Sequence, residues 1–255
     1  MLWLIDHPWH FFPIILLGLW FCVNLGFSFR RREEQSYSQI EFVRNGLNVF
    51  LSLLLGFTLP MAKTHYDHRK ELIVDEANAI ATVHVRAGML PEPLRGEILR
   101  ELREYLDSRT DFGKEDMDEM ALRACLASSK QLLHAMQQQA VPLVQQSPNS
   151  VINAFVQALI ELGDLTEKRL AAEENLIPGA IWLMIILISV LTCLATGYSM
   201  RRRLLVEMIV LPLSVAIVMT LVAELDSPRT GVIRVGQQSL ERLQLEFKST
   251  PPQLQ

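Results

Sequence analysis

The sequence predicts an all-α integral membrane protein with four transmembrane helices and an extramembrane helical bundle inserted between spans two and three. Three observations carry this expectation. Half of the residues are hydrophobic, and they collect in four long runs. The stretch between Lys63 and Asn175 holds most of the charge and repeats its apolar residues at helical spacing. That stretch shows neither strand alternation nor a repeat of fixed period. The expected division is residues 1–62 with the first two spans, 63–176 as the helical domain, 177–224 with the last two spans, and 225–255 as a tail.

The first span, residues 13–29, can cross roughly 30 Å of hydrocarbon at 1.5 Å per residue with help from flanking aromatics. Its positive charges come after the apolar run, at Arg30, and Asp6 stands before it, so a retained helix is expected rather than a cleaved signal peptide. Trp3, Trp9, Phe11 and Phe12 suit an interfacial aromatic belt. The second span, residues 47–62, is weaker, interrupted by Asn48, Ser52, Gly56 and Pro60. Arg44 and Lys63 at its ends can extend their polar heads to the two interfaces. The third, residues 180–199, has no charge, and Pro178 stands where a missing N–H costs little at a helix start. The fourth, residues 204–222, contains Glu207 and Pro212 but is otherwise strongly apolar.

Orientation is read from arginines. Arg30, Arg31, Arg32 and Arg44 flank the link between spans one and two, and Arg201, Arg202 and Arg203 fill the link between three and four. The positive-inside rule puts both links in the cytoplasm, so both termini and the central domain are expected on the extracytoplasmic side.

Four amphipathic helices are expected in the central domain. The first continues from span two, kinked at Pro60, up to Gly88. Leu94, Ile98, Leu102 and Tyr105 mark the second, and Leu122, Cys125, Leu132 and Met136 a third. Ile152, Phe155, Leu159, Leu162 and Leu165 mark the fourth, which runs almost directly into span three. The breaks fall at Pro91 and Pro93, at residues 108–114, and at Pro142, Ser147, Pro148 and Asn149. In the tail, a turn at Ser227-Pro228 and a short extended piece precede an amphipathic helix with Leu240, Leu243 and Phe247, expected to dock on the helical domain.

Chemistry-bearing residues are few. Asp75, Glu76 and Asn78 lie together on a helix rich in Ile, Val and Ala. They form either an ion-binding cluster or, the favoured reading, a polar network with donors such as Arg69 or Arg86. Asn48, Ser52 and Gly56 share a stripe of span two that could line a pore or let helices pack closely, and packing is favoured. Phe50 and Phe57 lie on another stripe and are read as lipid or helix contacts before a hydrophobic constriction. Glu207 is expected to pair with Arg203, and Glu224 and Asp226 to be solvated. His65, His68 and Asp75 could hold zinc only with a third ligand two turns away, so no metal is expected. Three cysteines, two of them inside apolar runs, imply no disulfide framework. Phosphate loops, nucleophile elbows, HExxH and CxxC motifs are all missing, so neither enzymatic activity nor a cofactor is expected. The net charge of −4 and the lack of a basic patch argue against nucleic acid as a partner.

Two segments add a resemblance. Residues 66–109, YDHRKELIVDEANAIATVHVRAGMLPEPLRGEILRELREYLDSR, and 225–235, LDSPRTGVIRV, resemble the bacterial bestrophin-like family of membrane proteins. Asp75-Glu76-Ala77-Asn78 followed by Leu90-Pro91 is the most specific part. The resemblance implies distant kinship to bestrophin anion channels and residence in the bacterial inner membrane. The resulting expectation is a homo-oligomeric membrane protein of channel or transport type, partnered by the lipid bilayer and by ions. The alternative is a non-conducting sensor or scaffold whose outer helical domain binds a partner.

Overall fold

The computed structural model describes residues 8–29, 37–112, 119–146, 149–200, 202, 205–228 and 231–249. Among these the protein is all-helical: α1 (Pro8–Ser28), α2 (Tyr37–Ala87), α3 (Leu94–Asp111), α4 (Glu119–Gln146), α5 (Ser150–Glu174), α6 (Gly179–Ser199), α7 (Leu205–Asp226) and α8 (Gln238–Ser249). Four apolar stretches, in α1, α2, α6 and α7, are long enough to cross a membrane. The chain forms two compact units, one of Met1–Tyr66 with Asn175–Arg234 and the other of Asp67–Glu174 with Val235–Gln255.

In the first unit α1 packs on α6 and α7, around Val23, Trp182, Ile185, Cys193, Met219 and Ala223. Phe11 meets Trp182 edge-on at 5.9 Å between ring centroids, an arrangement aromatic pairs favour. Two glycines set how closely α1 and α6 approach. A β-carbon on Gly197 would fall against the Val23 carbonyl oxygen, and one on Gly26 against the Leu194 carbonyl oxygen. Small residues of this kind let helices touch backbone to backbone where lipid supplies no hydrophobic drive to associate. Hydroxyls here, buried at Thr58 and Thr192 and half-buried at Thr220, bond back to their own helix: Thr58 to the Leu54 carbonyl, Thr192 to that of Ile188, Thr220 to that of Ala216. Outward faces are apolar, as at Leu17, Phe21, Leu183 and Leu187.

The second unit consists of the C-terminal part of α2 with α3, α4, α5 and α8. Its core joins Ile73, Ile80 and Val83 of α2 to Ile98, Leu102 and Tyr105 of α3, Met136 of α4, and Phe155, Leu159 and Leu162 of α5. The amphipathic tail helix α8 packs against α3, burying Leu240, Leu243 and Phe247 as the apolar spacing anticipates. The ring of Phe247 stacks on His84 at 4.2 Å between centroids.

Three expectations are corrected. The fourth helix does not run into span three, because residues 175–178 are non-helical between α5 and α6. Pro178 disfavours helix at Ile177, and the Asp226 carboxylate accepts the Ile177 N–H at 3.0–3.1 Å, holding the break open. Pro142 ends no helix and lies within α4. The carbonyl it leaves without an N–H belongs to Gln138, a solvent-exposed position where water can supply the missing bond. Glu224 and Asp226 are buried rather than solvated, since each is used by backbone. Glu224 accepts the N–H groups of Val232 (2.6 Å) and Ile233 (3.1 Å) just after Gly231, whose φ of 103° is readily adopted only without a side chain.

Trp3, Arg30, Arg31, Arg32, Gly113, Lys114, Ser147, Pro148, Arg201 and Arg203, and the side chains of Trp9 and Glu207, lie outside the described residues.

Candidate functional site

Helix α2 carries both candidate sets read from the sequence, Asn48, Phe50, Ser52, Gly56 and Phe57 in one half and Asp75, Glu76 and Asn78 in the other. Its apolar half has two unlike sides. Leu51, Thr58 and Ala62 are buried against the first unit, with Leu54, Leu55 and Leu59 packed beside them. Ser52, Gly56, Phe50, Phe57, Leu53, Val49 and Pro60 share the other side, which is exposed among the described residues. The two stripes distinguished in the sequence, one polar and one aromatic, are both exposed, with Ser52 and Gly56 toward one edge of this side and Phe50 and Phe57 toward the other. Asn48 departs from them. It is half-buried and turns toward α6 and α7, with Arg44, whose guanidinium donates to the Ser199 hydroxyl at 2.9 Å.

The face containing Ser52 and Gly56 differs chemically from the exposed face of α6. Where α6 shows Leu183, Met184, Leu187 and Leu191, this one intersperses Ser52, Gly56 and Pro60 among its apolar side chains, as α1 does with Pro13 and Gly18. Pro60 adds a backbone defect: it lacks the N–H that would otherwise bond the Gly56 carbonyl. Beyond the adjoining backbone of its own helix, no atom of the described residues lies within 4 Å of where a β-carbon on Gly56 would stand.

One helical half further on, Asp75, Glu76 and Asn78 diverge. Asn78 is exposed and Asp75 half-buried, while Glu76 is fully buried. The Glu76 carboxylate accepts Arg109 Nε at 2.6 Å on one oxygen and Arg109 Nη2 at 3.2 Å on the other, and it also accepts from Arg169. Tyr105 donates its hydroxyl to the same carboxylate at 3.1 Å and lies 2.7 Å from the Thr166 hydroxyl. Arg169 reaches on to Gln237 at 3.0 Å and to Glu173 at 3.8 Å. Both guanidinium groups lie near the Phe112 ring, at 5.0 and 5.6 Å from its centroid, within cation–π range.

The electrostatics follow from that packing. Burial alone would push the Glu76 carboxyl up. The charges and hydrogen bonds of Arg109 and Arg169 outweigh burial and hold it below its ordinary 4.5. Burial and the neighbouring Glu76 charge raise the Tyr105 phenol, so it stays a neutral donor. Arg109 is held above its ordinary value by Glu76, against the opposing effect of burial.

The sequence reading named Arg69 and Arg86 as donors for this carboxylate. Instead Arg86 donates to the Ala154 carbonyl, and the donors to Glu76 come from α3 and α5. A signal for them was present. Ile98, Leu102, Tyr105 and Arg109 form one continuous stripe, as do Phe155, Leu159, Leu162, Thr166 and Arg169. Glu76 occupies the same kind of position between Ile73 and Ile80. A charged residue that continues an apolar stripe is aimed into the core and must find a partner there.

Elsewhere on α2, His65 Nδ1 lies 3.2 Å from the buried Asp226 carboxylate, and the Tyr66 hydroxyl donates to the Arg234 carbonyl at 3.2 Å. His68 is exposed, apart from His65 and Asp75, and no metal-binding cluster occurs among the described residues.

Comparison with known proteins agrees with this architecture. A bacterial bestrophin homologue from Klebsiella pneumoniae, in crystal form, superposes with a TM-score of 0.69 at 15% identity, over 94% of this chain and 99% of its own. A crystallised single-substitution variant of that homologue gives the same TM-score, identity and coverage. A crystallised membrane-protein variant at 16% identity also has a TM-score of 0.69 and the same coverage. No curated protein matches the sequence. The sequence itself matches the bestrophin-like domain over residues 11–240, and this membrane protein therefore belongs to the bestrophin-like family.

Proposed function

We propose that the protein is a homo-oligomeric ion channel or transporter whose conducting path is lined by the exposed face of α2, with the second unit as an extramembrane helical domain. The face bearing Ser52, Gly56 and Pro60 supports this reading. A carbonyl deprived of its helical N–H costs several kcal/mol against hydrocarbon, so such a face belongs against water or another protein surface. Phe50 and Phe57 on the same face supply apolar side chains able to narrow a path between copies. Family membership supports the same reading.

Ion flux into liposomes tests it. The unaltered protein should pass ions. Ser52→Trp should abolish flux while a native mass of the solubilised complex stays unchanged, because added bulk on an exposed face fills the path without disturbing the chain's own core. Absence of flux for the unaltered protein across several anions and cations would overturn the reading in favour of a non-conducting sensor or scaffold.

Within the same proposal the arginine distribution places both termini and the helical domain on the extracytoplasmic side of the bacterial inner membrane. In a Cys125→Ser background, a cysteine replacing the exposed Glu161 should react with a membrane-impermeant thiol reagent in intact cells. Reaction only after lysis would invert the orientation.

A further inference from the structure

Within the first unit, an open groove of about 870 Å³ lies where α2, α6 and α7 meet at the link between the last two spans. It is large enough for a small organic ligand, since binding clefts commonly span roughly 300–1,000 Å³. Its chemistry is amphiphilic. Arg44 and Arg202 line it at the polar end, and Val206 and Val210, both largely exposed, line it along α7. Arg44 is anchored, bonded to Ser199 on α6 and to the side chain of Asn45. Two polar atoms at this site, Asn48 Oδ1 and Thr196 Oγ1, are shielded from solvent and have no hydrogen-bond partner among the described residues.

A buried acceptor or hydroxyl without a partner costs about 1–3 kcal/mol, so the pair calls for a ligand that brings hydroxyls of its own. Two guanidinium groups call for a phosphate or another anion. An apolar wall running from there along a transmembrane helix calls for an acyl chain. We propose that this groove binds one anionic phospholipid with a hydroxylated headgroup, of the phosphatidylglycerol type. Its phosphate would lie between Arg44 and Arg202, a headgroup hydroxyl would donate to Asn48 Oδ1 and accept from Thr196, and one acyl chain would follow Val206 and Val210. The carboxylate of Glu41, one helical turn before Arg44, also borders the groove and disfavours a headgroup with more than one negative charge. A neutral zwitterionic lipid would gain less, because its quaternary ammonium meets two fixed cations.

Native mass spectrometry of the full chain tests the assignment, after reconstitution in bilayers of equal phosphatidylglycerol and phosphatidylcholine and extraction into mild detergent. The protein should retain phosphatidylglycerol in preference to phosphatidylcholine. Each of Arg44→Gln and Arg202→Gln should cut that preference about five-fold. Val210→Trp, an exposed change that leaves both arginines in place, should expel the lipid while the thermal midpoint stays unchanged, so the test survives if the Arg44 variant fails to fold. Equal retention of the two lipids by the unaltered protein would overturn the proposal, as would a preference unmoved by Val210→Trp. Displacement of the bound lipid by inorganic phosphate alone would also overturn it, because it would mark the site as one for free anions.

Discussion

Both units are helical and both bury polar groups, yet they satisfy them by different means. In the first, Thr58, Thr192 and Thr220 return their hydroxyls to carbonyls of their own helices, and α1 meets α6 through Gly26 and Gly197. Its buried carboxylates, Glu224 and Asp226 toward the end of α7, are met chiefly by backbone N–H groups, with His65 beside Asp226. In the second, a single carboxylate from α2 holds guanidinium groups from α3 and α5 together, with a tyrosine and a threonine completing the network. The difference shows what each environment permits. Helices in hydrocarbon gain most from close backbone contact, whereas a polar helical bundle can use charge to fix which helices pair and in which register, at the risk that one lost member strands the others.

The severest way to break the second unit is therefore to remove its central charge. Glu76→Gln keeps the shape but leaves Arg109 and Arg169 facing a neutral amide, and should destabilise the unit by about 3–5 kcal/mol. Trp20 and Trp182 belong to the first unit and the sequence of the second contains no tryptophan, whereas Cys125 belongs to the second. Denaturant-dependent labelling of Cys125 should shift strongly toward lower denaturant in this variant. A labelling curve like that of the unaltered protein would show that Glu76 does not hold the bundle together.

Acid should weaken the same network in a defined window. The folded Glu76 has its pKa below the ordinary 4.5, so its contribution is complete above that value and is lost as pH falls through the folded one. Cys125 protection should thus collapse below about pH 4.5 in the unaltered protein, and Glu76→Gln should remove that component. An unchanged acid transition in the variant would assign it to other carboxylates.

The first unit should break on volume rather than charge. Gly197→Ala places a methyl against the Val23 carbonyl, and α1 must move away from α6, costing about 1–3 kcal/mol. Tryptophan fluorescence follows this directly through Trp182, which is buried against Phe11 of α1. A midpoint unaltered by the substitution would show that the helices do not need this close approach.

The smallest expected effect sharpens the comparison at the edge of the second unit. Burial, with the nearby Arg103 charge, holds His84 below its ordinary 6.5, against a weaker upward pull from Glu246. The neutral ring favours the fold, so the stability it contributes is present above pH 6.5 and is lost as pH falls through the folded value. The protection of α8 amides, measured as the exchange rate relative to that of an unfolded peptide at the same pH, should fall modestly between neutral pH and pH 5, since Phe247 of α8 stacks on His84, and His84→Phe should suppress that change. Protection factors unchanged over that range would separate His84 from the docking of α8.

Helix identity was largely readable because its cause is local. The apolar runs, the three- and four-residue spacing of Ile98, Leu102, Tyr105 and of Phe155, Leu159, Leu162, and the docking face of Leu240, Leu243, Phe247 all follow from side chains along one segment. Boundaries were less readable where the deciding partner is distant. Residues 175–178 break because Asp226, some fifty positions later, takes the Ile177 N–H, and Pro142 persists inside α4 because an exposed carbonyl can turn to water. Candidate site residues divide in the same way. Glu76 was visible as a carboxylate on an apolar helix, but grouping it with Asp75 and Asn78 followed sequence adjacency. A helix turns about 100° per residue, which sent the three side chains to a half-buried, a buried and an exposed position.

The sequence by itself determined that the chain is helical, that four of its stretches are apolar and long enough to span a bilayer, and that it resembles the bestrophin-like family, because periodicity, hydropathy and motif are properties of contiguous residues. Only the tertiary structure decided that Glu76 answers to Arg109 and Arg169, that Asn48 parts from Ser52 and Gly56, and that Glu224 and Asp226 are buried. Those outcomes depend on which helix faces meet, and a charge or hydrogen-bonding group takes its role from whatever the fold brings within about 3 Å of it.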